Sequence, residues 1–261
     1  MRYILVLFFL QISFIVNAQT QFFSSFDGAK IAYSDEGNGS VVVLVHGFIN
    51  SGSSWEATIL KKELIEKGYR VIVPDLRGNG LSETSNEAAF YQEDAEVKDL
   101  QALISYLKIK KFGVVGYSRG SIVTAKWLTA DKRIKKAVLG GMGLDFTNPE
   151  WDRRILFANA FAEGAVLTEE TKGAVAYATS IHANLKALHY LQLYQPVTPV
   201  MELKKIKAKV LIIAGDKDLE NGNPRELHAV IPKSKFVIIK GVHNEAHKTA
   251  SFSKEILSFL R

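Results

Sequence analysis

The 261-residue sequence predicts an α/β protein: a doubly wound, mostly parallel sheet with a small helical cap inserted after the sixth strand. Three observations predict it. Short apolar runs rich in β-branched residues recur along the chain. Helix-compatible segments separate them. One long stretch, residues 145–204, breaks the alternation without offering a strand.

The elements follow in order. Residues 22–26 and 30–33 flank Asp27-Gly28 and read as an antiparallel hairpin at the sheet edge. The runs at 41–45, 70–73, 112–115, 136–139, 210–214 and 235–239 are continuously apolar rather than alternating. A strand apolar on both faces is buried on both, which is the pattern of a parallel sheet covered by helices. Segments 54–67, 93–107, 121–129, 225–231 and 251–260 supply helices to cover it. Within 145–204, helical patterning with aromatics recurs at 151–164, 168–179 and 184–194 and ends at Pro196 and Pro199. An insertion of this length is normally functional. It is expected to lie over the carboxyl ends of the strands, where open α/β sheets bind ligands. The expected core is therefore 19–144 with 205–261, and 145–204 is the cap.

Composition narrows the function classes. Hydrophobic content of 47% with 23% charged residues fits a globular chain and excludes a disordered or fibrous one. There is no cysteine, so the fold must stand without disulfides. At the start, Met1-Arg2 precedes an apolar stretch broken only by Gln11 and Ser13, followed by a small residue at Ala18. This reads as a signal peptide over residues 1–18, with export to the periplasm or outside and no stable membrane anchor once it is cleaved. The net charge is +6, with small basic clusters at 108–111, 132–136 and 204–209. Each lies just before an apolar strand and reads as a solvated loop. No basic stripe carries interleaved aromatics, so nucleic-acid binding is not expected. No P-loop, dinucleotide fingerprint or two-histidine metal motif occurs, so neither cofactor nor metal is expected. His182, His189 and His228 have no partners at metal spacing. The sequence sets no oligomeric state.

Four motifs stand at strand ends. Gly116-Tyr117-Ser118-Arg119-Gly120 joins the strand at 112–115 to a helix and describes a nucleophile elbow, a sharp turn that lifts Ser118 Oγ clear of the backbone. Val45-His46-Gly47-Phe48 follows the central strand, so the amides of Phe48 and Arg119 can face one oxyanion. Gly215-Asp216-Lys217-Asp218 ends another strand with two carboxylates, and Gly241-Val242-His243 follows the last.

With these motifs and the loop Asp75-Leu-Arg-Gly-Asn-Gly-Leu-Ser82, the chain resembles the α/β-hydrolase superfamily, in its capped, lipase- and esterase-like branch. The resemblance covers nearly all of the chain after residue 18. It implies a triad in the order Ser118, Asp218, His243, with Ser118 as nucleophile, His243 as general base and Asp218 orienting the imidazole. Asp216 and Asp145 are rivals for the acid, and His247 is the rival histidine. The family turn is usually one residue longer than Gly241-Val242-His243. Arg77 and its loop are expected to brace the site, and His46 to hydrogen-bond neighbouring loops. Tyr117 and Trp151 are the expected substrate contacts. The Arg119 side chain either touches substrate or pairs with a helix.

A serine at the elbow argues against the dehalogenase and epoxide hydrolase branches, which carry aspartate there. The expected reaction is hydrolysis of a small or medium carboxylic ester through an acyl-enzyme on Ser118. The same constellation also serves amide, thioester, lactone and C–C hydrolysis and perhydrolysis. A ligand-binding receptor of the same fold is the non-enzymatic alternative.

Overall fold

The structure, a computed structural model, describes residues 19–218 and 220–261. Residues 1–18, expected from the sequence to be a signal peptide, lie outside the described residues. One eight-stranded sheet is formed by β1 (Gln21–Ser24), β2 (Lys30–Glu36), β3 (Val41–Val45), β4 (Arg70–Pro74), β5 (Phe112–Tyr117), β6 (Ile134–Gly140), β7 (Lys209–Gly215) and β8 (Ser234–Ile239). Their spatial order is β1-β2-β4-β3-β5-β6-β7-β8. β1 and β2 are antiparallel, β2 meets β4 antiparallel, and every pairing from β4 to β8 is parallel.

The helices are α1 (Ile59–Glu66), α2 (Ala95–Tyr106), α3 (Arg119–Ala130), α4 (Asp152–Ala160), α5 (Lys172–Ser180), α6 (Leu185–Leu193), α7 (Val200–Leu203), α8 (Pro224–Val230), α9 (His243–Ala246) and α10 (Ala250–Leu260). Apolar surface divides between the two faces of the sheet. Val43, Val45, Ile72, Val114 and Leu139 face α2 and α3 through Leu100, Leu103, Ile122 and Trp127. The alternate residues Val42, Leu44, Val71, Val115 and Val138 face α1 and α10 through Leu60, Leu64, Phe252 and Ile256. Two covered faces are why these strands read as continuous apolar runs rather than alternating ones.

Some boundaries differ from the sequence expectation. The helix expected over 54–67 is broken into a 3-10 turn (Gly52–Trp55) and α1. Thr58 causes the break: its backbone is extended, and its hydroxyl accepts from the Lys61 N–H as an N-cap. The first strand stops at Ser24, because Ser25 N–H donates to Ala29 O and turns the chain. The second runs on to Glu36, because it pairs with β4 as well as β1.

Between β6 and β7 lie α4, α5, α6 and α7. α4 packs on α6, and α6 reaches the core turn Ala88–Tyr91. Phe161, Ala178, Ala187, Leu188 and Leu191 share one apolar cluster with Ile49 and Tyr91 of the sheet loops.

Candidate active site

The site is built at the carboxyl ends of β3, β5, β7 and β8. β5 runs into α3 through Ser118, whose φ of 54° and ψ of −128° are strained for a residue with a side chain. The strain is held by packing on every side. Ser118 N–H donates to Gly140 O at 2.8 Å, and Ser121 Oγ donates to the same carbonyl at 2.8 Å. A Cβ on Gly120 would sit 2.3 Å from Val45 O and 2.5 Å from His46 O. One on Gly116 would sit 2.4 Å from Gly120 O. These glycines let α3 pass against β3 and β5. Gly120→Ala is therefore expected to cost at least about 3 kcal/mol, because the clash is with backbone that cannot rotate away. Urea denaturation of this variant beside the parent measures it.

Ser118 Oγ lies 2.8 Å from His243 Nε2, and His243 Nδ1 lies 2.9 Å from Asp218 Oδ2. The chain of partners sets the proton positions: the serine hydroxyl donates to Nε2, and Nδ1–H donates to the carboxylate. Asp218 and His243 are both buried. Of the rivals, Asp216 is exposed and accepts from Gly241 N–H at 3.0 Å and Lys240 Nζ at 2.8 Å, which makes it a turn brace. Lys240 is the main reason its carboxyl is held below the usual range. Asp145 lies against Gly222 rather than against the His243 ring. His247 sits one helical turn beyond His243, with its ring 4.5 Å from the Tyr117 ring and edge-on to Trp55.

The loop after β3 runs against the nucleophile. A Cβ on Gly47 would come 3.3 Å from Ser118 Cβ. Among the described residues, neither the Phe48 nor the Arg119 backbone N–H has an acceptor within the protein. The Phe48 ring packs edge-to-face on Phe157 and Phe161 of the α4 region. His46 fixes the loop: Nδ1–H donates to Gly47 O at 2.8 Å, and Nε2 accepts from Leu76 N–H at 3.0 Å. The acceptor role of Nε2 requires the neutral ring, and burial holds its pKa below the usual imidazole value.

The Arg119 side chain turns away from the site. It makes a bidentate pair with Glu96 of α2 at 2.6 and 2.7 Å and donates to Leu191 O near the end of α6 at 2.7 Å. Tyr117 is buried, and its hydroxyl donates to His243 O at 2.7 Å. Burial, then the Asp218 and Glu220 carboxylates, push that hydroxyl's pKa up, so it stays a neutral donor. It borders the cavity but acts on the histidine backbone. Trp151 is half-buried at the start of α4 and lines the cavity. Arg77 is buried and joins Asp99 of α2 to Asp27 of the hairpin, bracing the loop after β4.

Two residues near the histidine carry no sequence signal. The Asn221 side-chain amide lies 3.3 Å from His243 Nδ1, and its Oδ1 accepts from Arg153 Nε at 3.1 Å. Arg153, on α4, also pairs with Glu170 and with Glu220. A cavity of about 750 Å³ opens over Ser118. Its lining includes Trp151, Phe157, Ala174 and Tyr177 together with Asn50, Ser53, Asn244 and His247.

Burial, then Lys248 and His243, lower the His247 pKa to about 4. His46 is displaced in the same direction. In the unfolded chain both rings take up a proton near pH 6.5, whereas the fold resists it, so acid favours unfolding. The stability they contribute is complete above about pH 6.5 and is lost as pH falls towards about 4. The melting temperature is expected to drop across that window, and to drop less in His247→Gln; thermal melts at stepped pH check this.

The family model described as alpha/beta hydrolase fold matches residues 40–201, more than half of the chain. A non-heme haloperoxidase of Rhodococcus erythropolis is 32% identical over 122 residues, covering 46% of this chain and 43% of that protein. The match thus spans less than half of that curated relative. Among solved structures, a bromoperoxidase from Bacillus anthracis aligns with a TM-score of 0.72 at 27% identity, covering 93% of this chain and 99% of that one. A thermophilic esterase from Thermogutta terrifontis aligns with a TM-score of 0.73 at 25% identity, covering 94% and 98%.

Proposed function

Since this chain belongs to the alpha/beta hydrolase fold family, we propose that it is a serine hydrolase that cleaves a small or medium carboxylic ester through an acyl-enzyme on Ser118. The observation that carries the reading is the unbroken relay Ser118–His243–Asp218 beside two backbone N–H groups that have no acceptor among the described residues.

The chemistry follows from those positions. Ser118 Oγ attacks the ester carbonyl carbon as its proton passes to His243 Nε2. The Asp218 carboxylate stabilises the imidazolium that forms. The carbonyl oxygen becomes an oxyanion between the Phe48 and Arg119 N–H groups, each contributing on the order of 3 kcal/mol in the transition state. Collapse breaks the C–O bond, and Nε2–H hands its proton to the departing alcohol. Water, deprotonated by the same nitrogen, then releases the acid and restores Ser118. The aromatic residues that line the cavity, Trp151, Phe157 and Tyr177 among them, suit an apolar acyl or alcohol group.

A second reading has support in two of the similar proteins, the haloperoxidase and the bromoperoxidase. In it, hydrogen peroxide replaces water in the second step and leaves with the acyl group as a peracid. We also read residues 1–18 as an export signal, which amino-terminal sequencing of the secreted protein tests.

A fluorophosphonate probe together with p-nitrophenyl esters of increasing acyl length tests the main reading. Labelling with ester turnover is the expected result; the absence of both contradicts it. Peracid formation on adding hydrogen peroxide separates the second reading from the first.

A further inference from the structure

The basic segments 108–111, 132–136, 204–209 and 233–235 are far apart in sequence, yet each precedes or opens one of the strands β5, β6, β7 and β8. Those four strands run parallel and lie side by side. Their amino ends therefore form a single pole of the molecule, opposite the carboxyl ends that carry Ser118, Asp218 and His243. What reads in sequence as several solvated loops is folded into one basic surface. Lys136 and Lys209 are register partners across β6 and β7, and Leu211 is paired with Lys235. Burial, with the Lys209 charge behind it, lowers the Lys136 pKa, as a crowded cationic surface does.

The charge at this pole is not neutralised within the protein. Among the described residues, no lysine of the four segments makes an ion pair with a carboxylate. The adjoining acids are engaged elsewhere: Asp131 holds Arg133, and Glu202 lies against Lys126. α2, α3 and α10 also end here, and cations favour helix carboxyl ends. That role occupies few of the lysines. Lys136 Nζ donates to Leu260 O and Lys135 Nζ to Lys132 O. The lysines at 108, 110, 111, 204, 205 and 207 are exposed.

We propose that this pole is a docking surface for an anionic lipid bilayer, holding the enzyme peripherally with its active-site cavity facing away from the membrane. The chemistry favours lipid over nucleic acid. The free cations are lysines, compact point charges suited to a diffuse array of headgroup phosphates. They cap adjacent strands about 4.8 Å apart, which gives a broad front rather than a helix or ribbon shaped for a duplex groove. Polybasic surfaces of this kind gain affinity with each lysine near the headgroups and lose it as salt screens them.

Co-sedimentation tests it, using vesicles of phosphatidylcholine alone and of phosphatidylcholine mixed with phosphatidylglycerol. The protein is expected to bind only the mixed vesicles and to be released by high salt. A pole variant carrying Lys132→Gln, Lys135→Gln, Lys207→Gln and Lys209→Gln is expected to lose at least about tenfold in affinity. A charge-matched control with Lys62→Gln, Lys98→Gln, Lys172→Gln and Lys186→Gln is expected to keep most of it. Lysine acetylation footprinting of the unaltered protein reads the same surface without relying on variants: vesicles should protect 132–136 and 204–209 but not Lys62 or Lys186. Failure to bind mixed vesicles at low salt, equal losses in both variants, uniform protection, or tighter binding to duplex DNA than to vesicles overturns the proposal.

Discussion

Ser118→Ala is expected to lower kcat/KM for a p-nitrophenyl ester by about 10⁵-fold or more while leaving the melting temperature nearly unchanged. The two halves of the expectation have separate origins. Among the described residues Ser118 Oγ has one partner, His243 Nε2, so removing it takes away the attacking atom without leaving a buried donor stranded. The strained backbone at Ser118 is held by Gly140, Ser121 and the glycines of the turn, none of which depends on the hydroxyl. Residual turnover should be the share supplied by the Phe48 and Arg119 amides and by binding alone. Steady-state kinetics beside thermal melts measures both. A loss below about tenfold would show that another group attacks the ester.

His243→Ala is expected to fall as far as Ser118→Ala, and the double variant no further, because serine and base act as a unit. His247→Ala is the informative contrast. Its ring lies on Tyr117 and Trp55, and among the described residues only the His243 ring is bonded to Ser118 Oγ. It should therefore cost less than about tenfold in kcat, with its main effect on stability. Asp218→Asn should fall between the two, by about 10³–10⁴-fold, because the neutral amide no longer fixes the imidazole tautomer. If His247→Ala proved the inactivating change and His243→Ala a mild one, the relay would be misassigned.

Much of this was legible in the sequence because its causes are local. A strand buried on both faces must be apolar at every position, so β3, β4 and β5 announce themselves. The turn at Ser118 needs small residues two positions either side for reasons of backbone clearance alone, so Gly116 and Gly120 leave a readable pattern. The break at Thr58 was less legible, since a threonine inside a helix and one capping it differ only in context. The side-chain partners were not legible. Whether Arg119 meets substrate or a helix depends on Glu96 and the Leu191 carbonyl, which approach from α2 and α6. Asn221 reaches His243, and Arg153 reaches Asn221, only because α4 folds back towards the loop after β7. The basic pole is the extreme case: four dispersed segments become one surface through strand order alone.

In the proposed mechanism Ser118 carries the acyl group. Peptide-level mass spectrometry of the protein after reaction with a fluorophosphonate tests it most directly. The expected result is one phosphonyl adduct on the peptide containing Ser118, absent from Ser118→Ala and slowed by a competing ester. An adduct on any other residue, or ester turnover that persists without an adduct on Ser118, would contradict it.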